Sequence, residues 1–353
     1  MKPIAYTVSY IFPFLTIYTM YIGGWSLVVV PLLSFGLVPF VELFLSGVKD
    51  NFEKEKEKDR VHNPIFDWLL YMLVPLQVFV VSTMVYLVSI GHLQGFSILG
   101  AIVSVGLCCG AFGINVAHEL GHRTTRHEQW MSQVLLWTTL YMHFFIEHNK
   151  GHHAHVATPN DPASSQKNQW LYAFWVRSVV MGWISAWKIE NHRLRKHALP
   201  MLRYDNQMLR FQLIQLGTLA GILYVAGITA CVAFIGSAVI GFLLLETVNY
   251  VEHYGLSRMQ KANGRFERVL PHHSWNANHP LGRVLLFELT RHSDHHAFPG
   301  RKYSILRHFE YSPQLPTGYP GMILLALFPP LFFLVMNPCL EREEKRMREL
   351  AAS

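Results

Sequence analysis

The 353-residue chain sets long apolar runs against short polar joins and two extended polar segments. A helix of about 20 apolar residues spans a bilayer. Runs of that length lie at 4–22 and 25–46, joined by Gly23-Gly24, and at 67–90 and 95–116, joined by "GHLQ". The apolar run 207–249 is too long for one crossing and must turn back near Gly227, giving spans at 207–226 and 229–249. The pattern predicts an all-α fold: six transmembrane helices in three hairpins, forming one integral-membrane domain over 1–353. The first run follows Lys2 as a signal peptide would. No small-residue cleavage site ends it and a second span follows at once, so it reads as an uncleaved anchor.

The run 321–336, "GMILLALFPPLFFLVM", is short and broken by Pro329-Pro330. It predicts a helix lying against the bundle or the membrane surface. The stretch "KDNFEKEKEKDR" is nearly charge-balanced and predicts a solvated helix with paired charges one turn apart.

Charge orients the bundle. The joins inside the hairpins carry no Lys or Arg, whereas the segments between hairpins carry Lys49, Lys54, Lys56, Lys58 and Arg60, then Arg123, Arg126, Lys150, Lys167, Arg193, Arg195, Lys196 and Arg203. By the positive-inside rule the segments 117–206 and 250–353 are cytoplasmic. Composition agrees: 51% of residues are hydrophobic and 15% charged, against about 25% charged in soluble domains. The net charge of +7 fits basic cytoplasmic loops, and the apolar runs argue against a nucleic-acid partner. Cys108, Cys109, Cys231 and Cys339 form no C-x-x-C pair, and most sit in apolar runs, so neither a zinc ribbon nor a disulfide framework is supported.

Twenty histidines are the anomaly. "HELGH" supplies His118 and His122, "EHNKGHH" supplies His148, His152 and His153, "NYVEHYGL" supplies His253, and "RHSDHH" supplies His292, His295 and His296. Spacings of three and four place two imidazoles on one helix face. Adjacent pairs such as His152-His153 can serve two neighbouring metals. His118 and His253 stand where the fourth and sixth spans end, so all nine can converge on one site capping the bundle. Neutral imidazole suits iron, zinc and copper. Nine are too many for one tetrahedral zinc and fit two metals with four or five nitrogens each. Glu119, Glu147, Glu252 and Asp294 stand beside these ligands and can accept the other ring N–H. The remaining histidines read as hydrogen-bonded core or surface residues, with His143 and His273 the first to reconsider.

Read alone, "HELGH" is also the H-E-x-x-H of a zinc protease, with Glu119 as general base. That reading leaves six clustered histidines unexplained. A metal transporter would place its ligands near the bilayer midplane, whereas these lie at span ends and beyond.

At "HELGHR", "EHNKGHHAHVATPNDPASS", "NYVEHYGL", "LTRHSDHHAFPGRKY" and "LRHFEYSPQLPTGYPGM" the chain resembles the membrane-bound alkane hydroxylases (alkane 1-monooxygenases), within the wider membrane di-iron group that includes xylene monooxygenase and the fatty-acid desaturases. The resemblance implies nine His ligands, falling on the nine named above, and two non-haem irons. It implies O2-dependent terminal hydroxylation of an alkane in a bacterial inner membrane. Aryl-methyl hydroxylation stays open, because xylene-type enzymes share the His pattern; a fatty-acyl desaturase is the further enzymatic alternative. Ser34, beside Phe35 in the second span, is a small residue that can line a substrate channel. The chain has no flavin or NAD fingerprint and no cysteine set for an iron–sulfur centre. Its electrons must come from a partner. By the same resemblance that partner is rubredoxin or a ferredoxin-type carrier, reduced by an NAD(P)H-dependent reductase.

Overall fold

The computed structural model describes residues 1–352. Among them the chain is helical, with only isolated bridges at Gln260–Phe266 and Asn276–Gln314. Helices α1 (3–22), α2 (Gly24–Glu42), α3 (Lys54–His62), α4 (Pro64–Ser89), α5 (Phe96–Gly121) and α6 (Arg126–Trp137) come first. They are followed by α7 (144–155), α8 (Leu171–Lys196), α9 (Gln207–His253), α10 (Pro280–Leu285), α11 (His292–Ala297), α12 (Tyr319–Ala326) and α13 (Pro329–Ala352). Four of them, α2, α4, α5 and α9, have the length and apolarity to cross a membrane. The first run opens as 3-10 turns over Pro3–Tyr10 before becoming α-helical at Ile11–Ile22.

Residue chemistry marks the boundaries. Asn63 caps α4 by accepting the Ile65 N–H (3.0 Å), and Asn206 caps α9 by accepting the Leu209 N–H (3.1 Å). Gly227 interrupts α9 with φ 81° and ψ 173°, a conformation that suits glycine because it has no Cβ. Cys231 Sγ lies 3.8 Å from the Leu219 carbonyl, so the chain folds back on itself there. The α1–α2 and α4–α5 connections meet at one end. Gly24 N–H donates to Ser97 Oγ (2.9 Å), and His92 Nε2 lies 2.9 Å from the Tyr21 carbonyl.

Small residues bring α5 and the second half of α9 into close parallel contact. A Cβ on Gly110 would fall 2.8 Å from the Gly241 carbonyl, and one on Gly106 would fall 2.6 Å from Ile240. Such positions let helix backbones approach where lipid offers no hydrophobic drive for association. The two helices end side by side, with His118 and His253 in their last turns.

The charged stretch forms α3, exposed along most of its length. The short apolar run forms α12 and the start of α13. Met322, Ile323, Ala326, Phe332, Met336 and Leu340 are buried against Tyr250, Tyr254 and Trp275. Helix α8 is an element the apolar-run reading did not isolate, because Arg177 and Lys188 interrupt its apolar face. Its buried stripe, Leu171, Phe174, Ser178, Gly182, Ala186, Glu190 and Leu194, repeats every three or four residues, as an amphipathic helix requires.

Three segments wind more loosely, as π-helical turns: Leu33–Leu37, Cys109–Ile114 and His148–His152. Such turns concentrate at functional sites. Here the first two line an apolar cavity and the third carries two of the clustered histidines.

Candidate metal centre

The nine clustered histidines come together at one end of the bundle and separate into two groups. His118, His122, His148, His153 and His295 form one; His152, His253, His292 and His296 form the other. Within each group the ligand atoms lie within 4.8 Å of one another. The closest approaches are between Nε2 atoms. His148 lies 3.0 Å from both His122 and His153, and His295 lies 3.2 Å from His153. In the second group His152–His296 and His292–His253 are each at 3.2 Å.

These separations fit one cation per group. Metal–nitrogen bonds of about 2.0–2.1 Å place neighbouring donors roughly 3.0–3.4 Å apart. Shared protons cannot satisfy so many converging lone pairs, and the buried His118 Nε2 has no hydrogen-bond partner. Burial, reinforced by the neighbouring imidazoles, holds His148, His153, His292, His295 and His296 well below the usual histidine range. His122 is pushed down to about 3, again mainly by burial. The rings are therefore neutral donors at pH 7, as metal ligation requires.

His152 differs. Burial pulls it down, but the Asp161 carboxylate outweighs that and raises it. Its Nδ1 donates to Asp161 Oδ2 at 2.9 Å, which leaves Nε2 facing the second group. Asp161 also accepts from the Ala163 N–H (3.1 Å) and from the Ser164 hydroxyl. Sequence reasoning quoted "TPNDPASS" without giving Asp161 a role. An Asp followed by Pro and two small residues, just beyond a His pair, is the signal that could have found it.

The four acids named from sequence take other positions. Glu119 accepts from Arg123 (2.7 Å) and from the Tyr303 N–H (3.0 Å) rather than from a ring. Next to His118 on a helix, it projects about 100° away from the histidine face. Asp294 accepts from the Arg307 guanidinium (2.8 Å) and backbone (2.9 Å) and pairs with Arg301 at 3.2 Å. Glu147 has an unpartnered Oε1 and is raised to about 8, by burial first and then by nearby Asp161. Glu252 reaches the centre on the side opposite to the one expected. Its Oε2 lies 3.1 Å from His292 Nε2, the nitrogen that faces the second group, while Oε1 accepts from the Tyr319 hydroxyl (2.6 Å).

His143 joins neither group; it borders a cavity of about 10 Å³ with Glu147, His148, His152 and Glu246, room for about one water. His273 lies apart from the nine, beside Glu267 and His272.

An apolar cavity of about 90 Å³ leads toward the centre. Helices α1, α2, α5 and α9 supply walls including Phe12, Val38, Phe112 and Leu244, and both Ser34 and Phe35 line it. Its lining includes Asn115, one turn before His118, and Tyr319, which holds Glu252. Neutral nitrogen donors sunk beside a greasy cavity in a helical bundle are the apparatus of an integral-membrane metalloenzyme.

Comparison with known proteins narrows the class. A fatty acid desaturase family profile matches residues 95–326. Alkane 1-monooxygenase 1 of Alcanivorax borkumensis is 37% identical over 92% of this chain and 81% of its own length. Alkane 1-monooxygenase 2 of Pseudomonas aeruginosa is 48% identical over 68% of this chain. The match covers 64% of that relative, less than two thirds of its length. The hydroxylase component of a Pseudomonas putida xylene/toluene monooxygenase is 29% identical over 82% of the chain. The chain belongs to the alkane 1-monooxygenase family, within the desaturase-type membrane proteins.

Proposed function

We propose that this protein hydroxylates the terminal carbon of an alkane at a non-haem di-iron centre: RH + O2 + 2 e⁻ + 2 H⁺ give ROH + H2O. The observation that carries the reading is the split of nine imidazoles into groups of five and four beside an apolar cavity. His118, His122, His148, His153 and His295 would hold one iron, and His152, His253, His292 and His296 the other. Bound there, iron would supply the reduction of O2 and the oxidising power for C–H insertion.

The chain's own residues do the remaining work. An alkane has no polar handle, so it must be recognised by burial, worth about 0.8 kcal/mol per CH2. The cavity walls provide that burial and hold the chain end beside Asn115 and Tyr319. Asp161 fixes the His152 tautomer, so that Nε2 presents its lone pair. Tyr319 holds Glu252 by hydrogen bond between the cavity and His292. The low polarity of the cavity excludes water from the reacting carbon.

The wider reading follows from sequence. The chain forms one membrane domain of six spans in three hairpins, in a bacterial inner membrane, with the centre facing the cytoplasm. A rubredoxin-type carrier supplies the electrons, since the chain carries no redox cofactor motif of its own. The basic cytoplasmic segments suit an acidic carrier.

The test combines composition and turnover. Detergent-purified protein reconstituted with Fe(II) is analysed for metal, then given NADH, a rubredoxin reductase, rubredoxin and octane or p-xylene. About two irons per chain and 1-octanol as product support the reading. One zinc per chain with no oxidised product overturns it. Faster conversion of p-xylene moves the protein to the aryl-methyl branch.

A further inference from the structure

We propose that Asn115 receives the hydroxyl of the alcohol product and so sets how tightly that product is held. The proposal rests on the hydroxylation reading above. Along α5 the cavity lining runs from Leu107 to Asn115, about 12 Å of helix. Asn115 is the last of these residues and stands three before His118, on the same face and one turn away. The carbon beside the centre, where a hydroxyl would form, therefore lies at the Asn115 end of the cavity.

The amide is fixed with its oxygen free. Nδ2 donates to the Leu286 carbonyl, just beyond α10, at 2.9 Å. A carbonyl only accepts, so the nitrogen must face Leu286 and Oδ1 points away from it. Oδ1 accepts from no described residue. The other polar groups of the lining are engaged or remote. The Tyr319 hydroxyl donates to Glu252 Oε1 at 2.6 Å. Cys108, two turns back from Asn115, lies 3.2 Å from Thr16 Oγ1. Ser34 is on α2, which carries none of the nine histidines.

A buried amide is costly unless its groups are paired. Asn115 is 6% exposed and shares its end of the cavity with Phe112, Leu285 and Leu286. An alkane offers Oδ1 nothing, whereas the alcohol offers one O–H. Conversion of substrate to product thus creates the donor that the cavity lacks. Asn115 distinguishes the two: it leaves the alkane to apolar burial and adds one hydrogen bond for the alcohol. The product then leaves more slowly than burial of its chain alone dictates.

The experiment measures binding without turnover, on the full-length, iron-reconstituted protein in detergent with no electron donor. Tritium-labelled octane is displaced by 1-octanol or by 1-fluorooctane, which has the same chain and a polar end but no O–H. The ratio of the two affinities is compared in wild type, Asn115→Leu and Asn115→Ala, each checked for Tm and iron content. We expect both variants to lose about tenfold in 1-octanol affinity relative to 1-fluorooctane, while octane affinity changes little. An unchanged ratio in a folded variant overturns the proposal. So does wild-type protein that binds 1-fluorooctane about tenfold or more tightly than 1-octanol, a result that stands even where neither variant folds. Failure of the wild type to convert octane to 1-octanol counts against the hydroxylation reading instead, since the affinity ratio is read without turnover.

Discussion

His148 and His153 stand five residues apart, yet their Nε2 atoms lie 3.0 Å from each other in one donor group, while His152, four residues from His148, belongs to the other. The π-helical turn over His148–His152 is the cause. A wider turn aligns i with i+5 rather than i+4, so it aims the adjacent His152 and His153 at different groups. The α-helical turn in α11 achieves a similar division: His292 and His296, four apart, join the second group, and His295 joins the first.

The wide turn depends on Gly151. A Cβ there would fall 2.5 Å from Glu147 Oε1 and 3.2 Å from Ile189. Alanine in a helix ordinarily gains about 0.5–1 kcal/mol over glycine. Here the clash prevails, and Gly151→Ala should destabilise the protein by roughly 1–3 kcal/mol. Metal content should fall in both groups, since the turn carries ligands of each. Thermal unfolding and elemental analysis of the variant check this.

Asp161→Asn removes the carboxylate that orients His152. Loss of such a partner costs about 10–100-fold in metal affinity. The loss should fall on the group of four, so reconstitution under limiting Fe(II) should yield half-loaded protein. Titration with a competing chelator should show one site weakened and one retained.

Ser34→Trp fills the apolar cavity that Ser34 and Phe35 line. Each CH2 denied burial costs about 0.8 kcal/mol, close to fourfold per carbon. The variant should keep short alkanes and lose long ones, with the rate ratio of hexadecane to octane falling by about tenfold or more. An unchanged chain-length profile would remove Ser34 from the channel.

His143, which belongs to neither donor group, supplies a pH test. Burial holds it at about 3 in the folded protein, against about 6.5 when unfolded. Between those values the unfolded chain takes up a proton that the folded one refuses, so stability falls as pH falls. The slope is about 1.4 kcal/mol per pH unit for one proton. His143→Gln should flatten the dependence of stability on pH below 6.5 by that amount and leave it unchanged above. Unfolding midpoints of wild type and variant at several pH values measure the difference.

Periodicity and charge set much of this protein in advance. Apolar length marked the four helices long and apolar enough to cross a membrane, because a bilayer demands about 20 largely apolar residues. Spacing picked out eight of the nine clustered histidines, because imidazoles a turn apart share a direction, while the lone His253 stood out by its place at a span end and by the family resemblance. Gly227 was legible as a reversal because a mostly apolar run of 43 residues (207–249) overshoots a membrane. Other features depend on neighbours remote in sequence. The division into five and four follows from a π-helical turn that no spacing rule announces. Asp161 reaches His152 only through the loop fold, and Glu252 meets the Nε2 side of His292 because the end of α9 lies against the start of α11. Glu119 and Asp294, adjacent to ligands along the chain, turn to Arg123 and Arg307 because helix geometry aims neighbouring side chains apart. The sequence determined which residues are chemically able to build the centre; the packing of helices decided which of their atoms face one another.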